Sequence, residues 1–216
     1  MFIQDIFYSF QGEGPYIGYP QIFIRFYGCN ISCAYCDEPD KNKQKFSVED
    51  VLERLAPLMK NPVHSISVTG GEPLLQVDAL KELLPRLEAP VYLETNGTLP
   101  KHVEEVADYV TYFAVDYKPG FDKEFTDFLQ VIQGRSNVFV KYIVQRDFNI
   151  LEVQKMAKIM AAFDPDMPLI LQPVTPFASI KAKATPQDIS RAYTASRQKL
   201  SDVRIIPQTH KFMGVK

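Results

Sequence analysis

From residue 21 onward the chain alternates short apolar strand patterns with amphipathic helical ones, and this alternation limits the fold more than any other feature. Strand signals lie at 65–68, 91–94, 112–115, 138–144, 169–171 and 203–206, with helical patterns near 76–87, 100–108, 123–133, 150–163 and 185–200 between them. Strands separated by helices of this length build βαβ units, which means a mostly parallel sheet with helices packed outside it. Three helix starts are marked by their residues. Ser47 is followed three positions on by Asp50, Asn149 precedes an apolar run, and Thr185 precedes Pro186 at the first helical position. Val48, Val51, Leu52, Leu55 and Met59 then keep helical spacing. Six such strands are too few to close an eight-stranded barrel, and 216 residues suit one domain over 1–216 with short terminal extensions. With 46% hydrophobic and 23% charged residues the chain can bury a large core.

All three cysteines fall in one eight-residue stretch, Cys29-Asn30-Ile31-Ser32-Cys33-Ala34-Tyr35-Cys36, directly after the strand pattern Gln21–Phe26. Three is an odd number and no distant partner exists, so a disulfide framework does not account for them. Three thiolates in a tight loop can converge on one soft metal centre. Structural zinc and most iron–sulfur clusters take four protein ligands. His64, His102 and His210 are the only histidines, and all lie far along the chain. A cluster held by three thiolates keeps one iron open to a small molecule. Zinc and a plain electron-transfer cluster remain the alternatives.

The other polar motifs fall at strand ends, where parallel α/β folds bind ligands. Gly70-Gly71-Glu72-Pro73 follows one strand, Asp116 and Lys118 another, and Gln172 a third. Residues 8–20 carry three glycines and two prolines, and are expected to form a shaped loop whose polar groups Gln11 and Glu13 suit hydrogen bonding to a polar heterocycle. A surface connector and solvated loop tips are the plain readings of these segments.

Net charge is −2, which gives no basis for nucleic-acid or anionic-membrane binding. No apolar run approaches the ~20 residues that span a bilayer. The N-terminus lacks the pattern of a signal peptide, and clustered free cysteines suit a reducing cytoplasm.

The C-x-x-x-C-x-x-C spacing and the Gly-Gly-Glu-Pro motif one βα unit later resemble the radical S-adenosylmethionine superfamily. The resemblance implies a partial (β/α)6 barrel, open on one side. It implies a [4Fe-4S] cluster on Cys29, Cys33 and Cys36, and S-adenosylmethionine on the open iron, cleaved to a 5′-deoxyadenosyl radical. Tyr35, Gly70, Gly71 and Glu72 take cofactor-binding roles on this basis, with Asp116, Lys118 and Gln172 as candidates for ribose or methionine carboxylate.

Both ends of the chain narrow the family. Phe7-Tyr8-Ser9-Phe10-Gln11-Gly12-Glu13-Gly14 and Pro207–Lys216 are similar to the terminal signatures of the 7-carboxy-7-deazaguanine synthases. That likeness implies conversion of 6-carboxy-5,6,7,8-tetrahydropterin to 7-carboxy-7-deazaguanine with loss of ammonia, on the route to queuosine-type bases. It implies a pterin site made by Phe10, Gln11, Glu13, Thr69, His210 and the terminal Lys216, with Arg25 for the substrate carboxylate. It also implies a homodimer served by an external electron donor such as flavodoxin or ferredoxin. The family commonly reads Cys-Asp-Thr at the third cysteine, with the threonine on Mg²⁺. Here Glu38 stands in that place, a candidate ligand of altered chemistry. A glycyl-radical activase and an electron carrier are the alternative functions. The first predicts an extended groove, and the second needs neither the Gly70-Gly71 loop nor the Gln11/Glu13 loop.

Overall fold

Each of the three helix starts marked in the sequence is capped by its own residue. Ser47 and Asp50 close a reciprocal capping box on α1 (Val48–Leu58), Asn149 accepts from Leu151 N at the start of α5 (Ile150–Phe163), and Thr185 and Asp188 close a second box on α6 (Pro186–Arg197). The structure, a computed structural model, describes residues 1–36, 42–176 and 183–215. In chain order the strands are β1 (Phe2–Phe10), β2 (Pro20–Phe26), β3 (Gln44–Lys45), β4 (Ser65–Gly70), β5 (Val91–Thr95), β6 (Tyr112–Asp116), β7 (Val138–Val144), β8 (Leu169–Pro173) and β9 (Val203–Ile205). The remaining helices are α2 (Val77–Leu83), α3 (Pro100–Val106), α4 (Asp122–Val131) and α7 (His210–Met213).

The sheet has nine strands in the order β3-β1-β2-β4-β5-β6-β7-β8-β9. From β2 to β9 every pairing is parallel. The result is an open α/β sheet with edges at β3 and β9, as the alternation predicts. It differs from the prediction at the N-terminus. β1 runs antiparallel to β2, so Tyr8–Phe10, expected in the loop, belong to a strand. A register shift between Ile3 and Asp5 breaks the side-chain alternation by which this strand would be recognised. The helix expected over 76–87 is also divided. It consists of a 3₁₀ turn at Pro73–Gln76, then α2, then a 3₁₀ turn at Leu84–Arg86. Pro85 has no N–H to continue an α-helix, which ends the α segment there.

The two faces of the sheet differ in chemistry, and this places the site. One face carries Ile22, Ile24, Ile66, Val68, Leu93, Val115, Val140 and Leu171, all in the main hydrophobic core with the helices. The side chains between them point the other way. Near the amino ends of the strands they form a smaller apolar cluster of Tyr92, Ala114, Phe139 and Ile170, against which Tyr16 and Tyr112 pack. Towards the carboxyl ends the same face turns polar, with Arg25, Thr69, Glu94, Asp116, Lys141 and Gln172 lining one cavity. A parallel sheet normally buries both faces in apolar residues. Burying charges on one face costs solvation that only partners and ligands offset. No helix among the described residues is long and apolar enough to cross a membrane.

Candidate active site

The cavity at the carboxyl ends of the strands has a volume of about 810 Å³, and its wall contains Cys29, Cys33 and Cys36. The three thiols are free, with Cys29 and Cys36 exposed and Cys33 half-buried. Their sulfurs are not drawn together: among the described residues no three His, Cys, Asp or Glu side chains form a compact metal site. The donor set nevertheless suits the group the sequence implies. Three soft sulfurs line one cavity and the sequence holds no fourth cysteine, which fits a cluster with an open iron better than closed tetrahedral zinc.

The cysteine loop is held by residues the sequence did not single out. Asn96 Nδ2 donates to Asn30 Oδ1 at 2.8 Å and approaches Cys29 Sγ at 3.8 Å. Asn96 Oδ1 accepts from Thr98 N and Thr98 Oγ1, and Asn30 Nδ2 donates to Thr98 Oγ1 at 2.8 Å. Although Cys29 is exposed as a residue, partial desolvation of its sulfur pushes the thiol up. In sequence these residues are an ordinary turn after β5, and only their packing against the cysteine loop reveals the role.

Gly70 and Gly71 are required by the chain itself as well as being open to a ligand. A Cβ on Gly71 would lie 2.0 Å from Gly28 O, and one on Gly70, whose φ is +122°, would lie 2.3 Å from Phe26 O. Gly71 N donates to Phe26 O at 3.1 Å and Glu72 N to Gly28 O at 2.7 Å. The glycines thus let the cysteine loop lie flat on the end of β4. Glu72 sits behind this contact, fully buried and off the cavity wall. Its carboxylate accepts from Asn96 N, Leu74 N and Thr95 Oγ1. Burial pushes it up to about 7, against those hydrogen bonds. Its carboxylate thus braces the turn after β5 against the start of the Pro73–Gln76 turn.

Asp116, Lys118, Tyr35 and Gln172 do reach the cavity. Lys118 Nζ donates to Asp116 Oδ2 at 3.0 Å and lies 5.1 Å over the Tyr35 ring. Burial pushes Asp116 up, but the two neighbouring ammonium groups outweigh it and hold the carboxyl below its usual range. Gln172 is 3% exposed, and its Oε1 has no hydrogen-bond partner among the described residues. A buried, unmatched acceptor on a cavity wall suits a ligand donor.

Of the residues expected for substrate, Arg25, Thr69, Glu13 and His210 line the same cavity. Arg25 pairs in register with Thr69 on neighbouring strands. Its guanidinium lies 5.1 Å from the Phe7 ring centroid, and Phe7 stacks on Phe23 at 5.2 Å. The stacked pair gives the guanidinium an aromatic neighbour. Arg25, Thr69, Glu13 and His210 border both the main cavity and a small recess that Phe10, at 41% exposure, helps to form. Gln11 is committed within the protein. Its Nε2 donates to Gln21 Oε1 and Glu94 Oε1, and its Oε1 accepts from Glu13 N. It shapes the loop instead of offering its amide outward.

The C-terminal segment packs against the Gly12–Glu13 loop. Thr209 N donates to Gly12 O at 2.8 Å and Gln208 Nε2 to Glu13 Oε1 at 2.7 Å. A Cβ on Gly12 would lie 2.4 Å from His210 Nδ1, so that ring rests directly on the loop. Glu38, the candidate metal ligand, and Lys216 lie outside the described residues.

Comparison with known proteins identifies relatives of the chain. The model of the radical SAM superfamily matches residues 23–144. A 7-carboxy-7-deazaguanine synthase from Geobacter sulfurreducens is 37% identical, covering 98% of this chain and 96% of its own. One from Methanothermobacter thermautotrophicus is 32% identical over 99% of this chain and 97% of its own. The crystal structure of QueE from Escherichia coli has the same fold, with a TM-score of 0.64 at 23% identity, covering 97% of this chain and 94% of that one.

Proposed function

The chain belongs to the radical SAM superfamily and, within it, to the 7-carboxy-7-deazaguanine synthase family, and from that premise we propose that it converts 6-carboxy-5,6,7,8-tetrahydropterin to 7-carboxy-7-deazaguanine with loss of ammonia. The observation that carries the reading is the meeting in one cavity of the three cysteines, Gln172 and Lys118 with Arg25 and Glu13. The likeness along nearly the whole length of the synthases displaces the activase and electron-carrier alternatives. Turnover of the carboxypterin by anaerobically reconstituted protein tests the assignment.

When bound, a [4Fe-4S] cluster on Cys29, Cys33 and Cys36 with S-adenosylmethionine supplies the radical that removes hydrogen from the substrate. The chain's own residues do the positioning. Gln172 Oε1 and Lys118 hold polar groups of the cofactor, and the Tyr35 ring lies against Lys118. Arg25 offers a flat pair of donors to the substrate carboxylate. Glu13, held by Gln208 and Lys141, reads the donor edge of the heterocycle, and His210 with the C-terminal segment excludes water from that end. Carried from the family resemblance, an external carrier of the flavodoxin or ferredoxin type supplies the reducing electrons. A cytoplasmic homodimer completes the reading, carried from the family resemblance; light scattering measures the assembly.

Arg25→Ala is expected to raise KM for the carboxypterin by about 10- to 100-fold, the loss of a charge-assisted hydrogen bond of roughly 1.5–3 kcal/mol, and to leave the Kd of S-adenosylmethionine as in the parent. Equal effects on both ligands would remove Arg25 from the substrate wall. We further propose that Glu38 supplies a hard oxygen ligand to Mg²⁺ beside the substrate. Turnover should then fall in chelator and recover with Mg²⁺. Chelator-insensitive turnover that rises in Glu38→Ala would contradict it.

A further inference from the structure

One buried cation has no part in the expectations drawn from the sequence. Lys141 leaves the middle of β7, with its side chain 6% exposed, and projects from the polar face of the sheet. Its Nζ lies 2.6 Å from Glu13 Oε2 and 3.2 Å from Asp116 Oδ1. Glu94 adds a third negative group to its surroundings. Each carboxylate also has a second partner. Gln208 Nε2 holds Glu13 Oε1 at 2.7 Å, Lys118 holds Asp116 Oδ2 at 3.0 Å, and Gln11 and Ser67 donate to Glu94. Both oxygens of Glu13 therefore face donors from the protein, one ammonium and one carboxamide.

That arrangement fixes the hydrogen-bonding sense of Glu13. A carboxylate between two donors is an acceptor only, whereas a protonated carboxyl carries a hydrogen of its own. Three carboxyl groups crowded without Lys141 would share a proton among them, as like charges in one site disfavour full ionisation. An acceptor-only Glu13 suits a ligand edge of N–H donors, such as the 2-amino group and ring N–H of a pterin. It repels a ligand presenting a carbonyl oxygen at the same place.

We propose that Lys141 is a specificity-determining positioning residue, which holds Glu13 as an oriented acceptor and so selects 2-amino over 2-oxo bicyclic substrates. The assignment rests on the pterin reading given above. Lys141 acts through Glu13 and is not itself assigned a contact with the reacting atoms.

The test compares kcat/KM for 6-carboxytetrahydropterin and for its 2-oxo, lumazine-type analogue in four proteins: the parent, Lys141→Met, Glu13→Gln, and the double variant. The parent should prefer the 2-amino compound. Each single variant should lower that preference by about 10- to 100-fold, the range of one charge-assisted contact. In the Glu13→Gln background Lys141→Met should change the preference little, because the residue it acts through is gone. The double variant removes one charge of each sign and so keeps the site balanced, which preserves a readable protein if Lys141→Met alone fails to fold. Glu13→Gln alone remains informative in that case. A preference that is unaltered in Lys141→Met, or additive losses in the double variant, would overturn the role of Lys141. A parent protein that converts neither compound would overturn the pterin reading, and this assignment with it.

Discussion

Replacing any one of Cys29, Cys33 or Cys36 with Ala abolishes reductive cleavage of S-adenosylmethionine, while the parent protein, reconstituted without oxygen, takes up about four irons per chain. The expectation follows from the count of donors. The chain has three cysteines in all, each on the wall of one cavity, so no spare thiolate can replace a lost one. Two thiolates do not hold a cubane against exchange with solvent. The effect should be complete for all three positions, since the loop places them within eight residues and none lies deep in the core. Iron content and 5′-deoxyadenosine release read the result. A Cys→Ala variant that retained both would show that the cluster is held elsewhere.

Gly71→Ala is expected to have nearly as large an effect without removing any ligand. The new methyl would fall 2.0 Å from Gly28 O and 3.2 Å from Cys29 N. Both are backbone atoms with no rotamer to change, so the cysteine loop itself must lift from β4. The hydrogen bonds Gly71 N to Phe26 O and Glu72 N to Gly28 O would be lost with it. Overpacking of this kind costs typically ~1–3 kcal/mol in stability. The larger effect is on the site, where displacement of Cys29 relative to Gln172 and Lys118 should lower iron retention and weaken S-adenosylmethionine together. Thermal melting separates the two: a folded protein with little iron supports the account. Parent-level iron and cofactor affinity in Gly71→Ala would show that the loop does not depend on this contact.

The helices and the parallel order were legible because their signals are local. A capping box at Ser47 or Thr185 is complete within four residues, and the short apolar runs of β4 to β8 each lie between helical patterns. The cysteines were legible because no other reading of three thiols in eight residues is economical. β1 was not legible, since its register shift disrupts the period by which strands are read. The interior polar network was hidden for a different reason. Glu94 and Lys141 look like interruptions in apolar strands, and only the register that sets Lys141 beside Asp116 shows them as members of one site. Gln11 and Glu72 illustrate the reverse case. Their residue types suggested ligand contact, but their polar atoms are engaged with the chain, and sequence carries no signal of that engagement.

The central claim is that this cavity turns a reduced carboxypterin into a deazaguanine. Its most direct test is mass-spectrometric product analysis after anaerobic incubation of the reconstituted protein with 6-carboxytetrahydropterin, S-adenosylmethionine and a low-potential reductant. The account predicts 7-carboxy-7-deazaguanine and ammonia in equal amounts, absent in Cys33→Ala. Reductive cleavage of S-adenosylmethionine with the pterin recovered unchanged would contradict it.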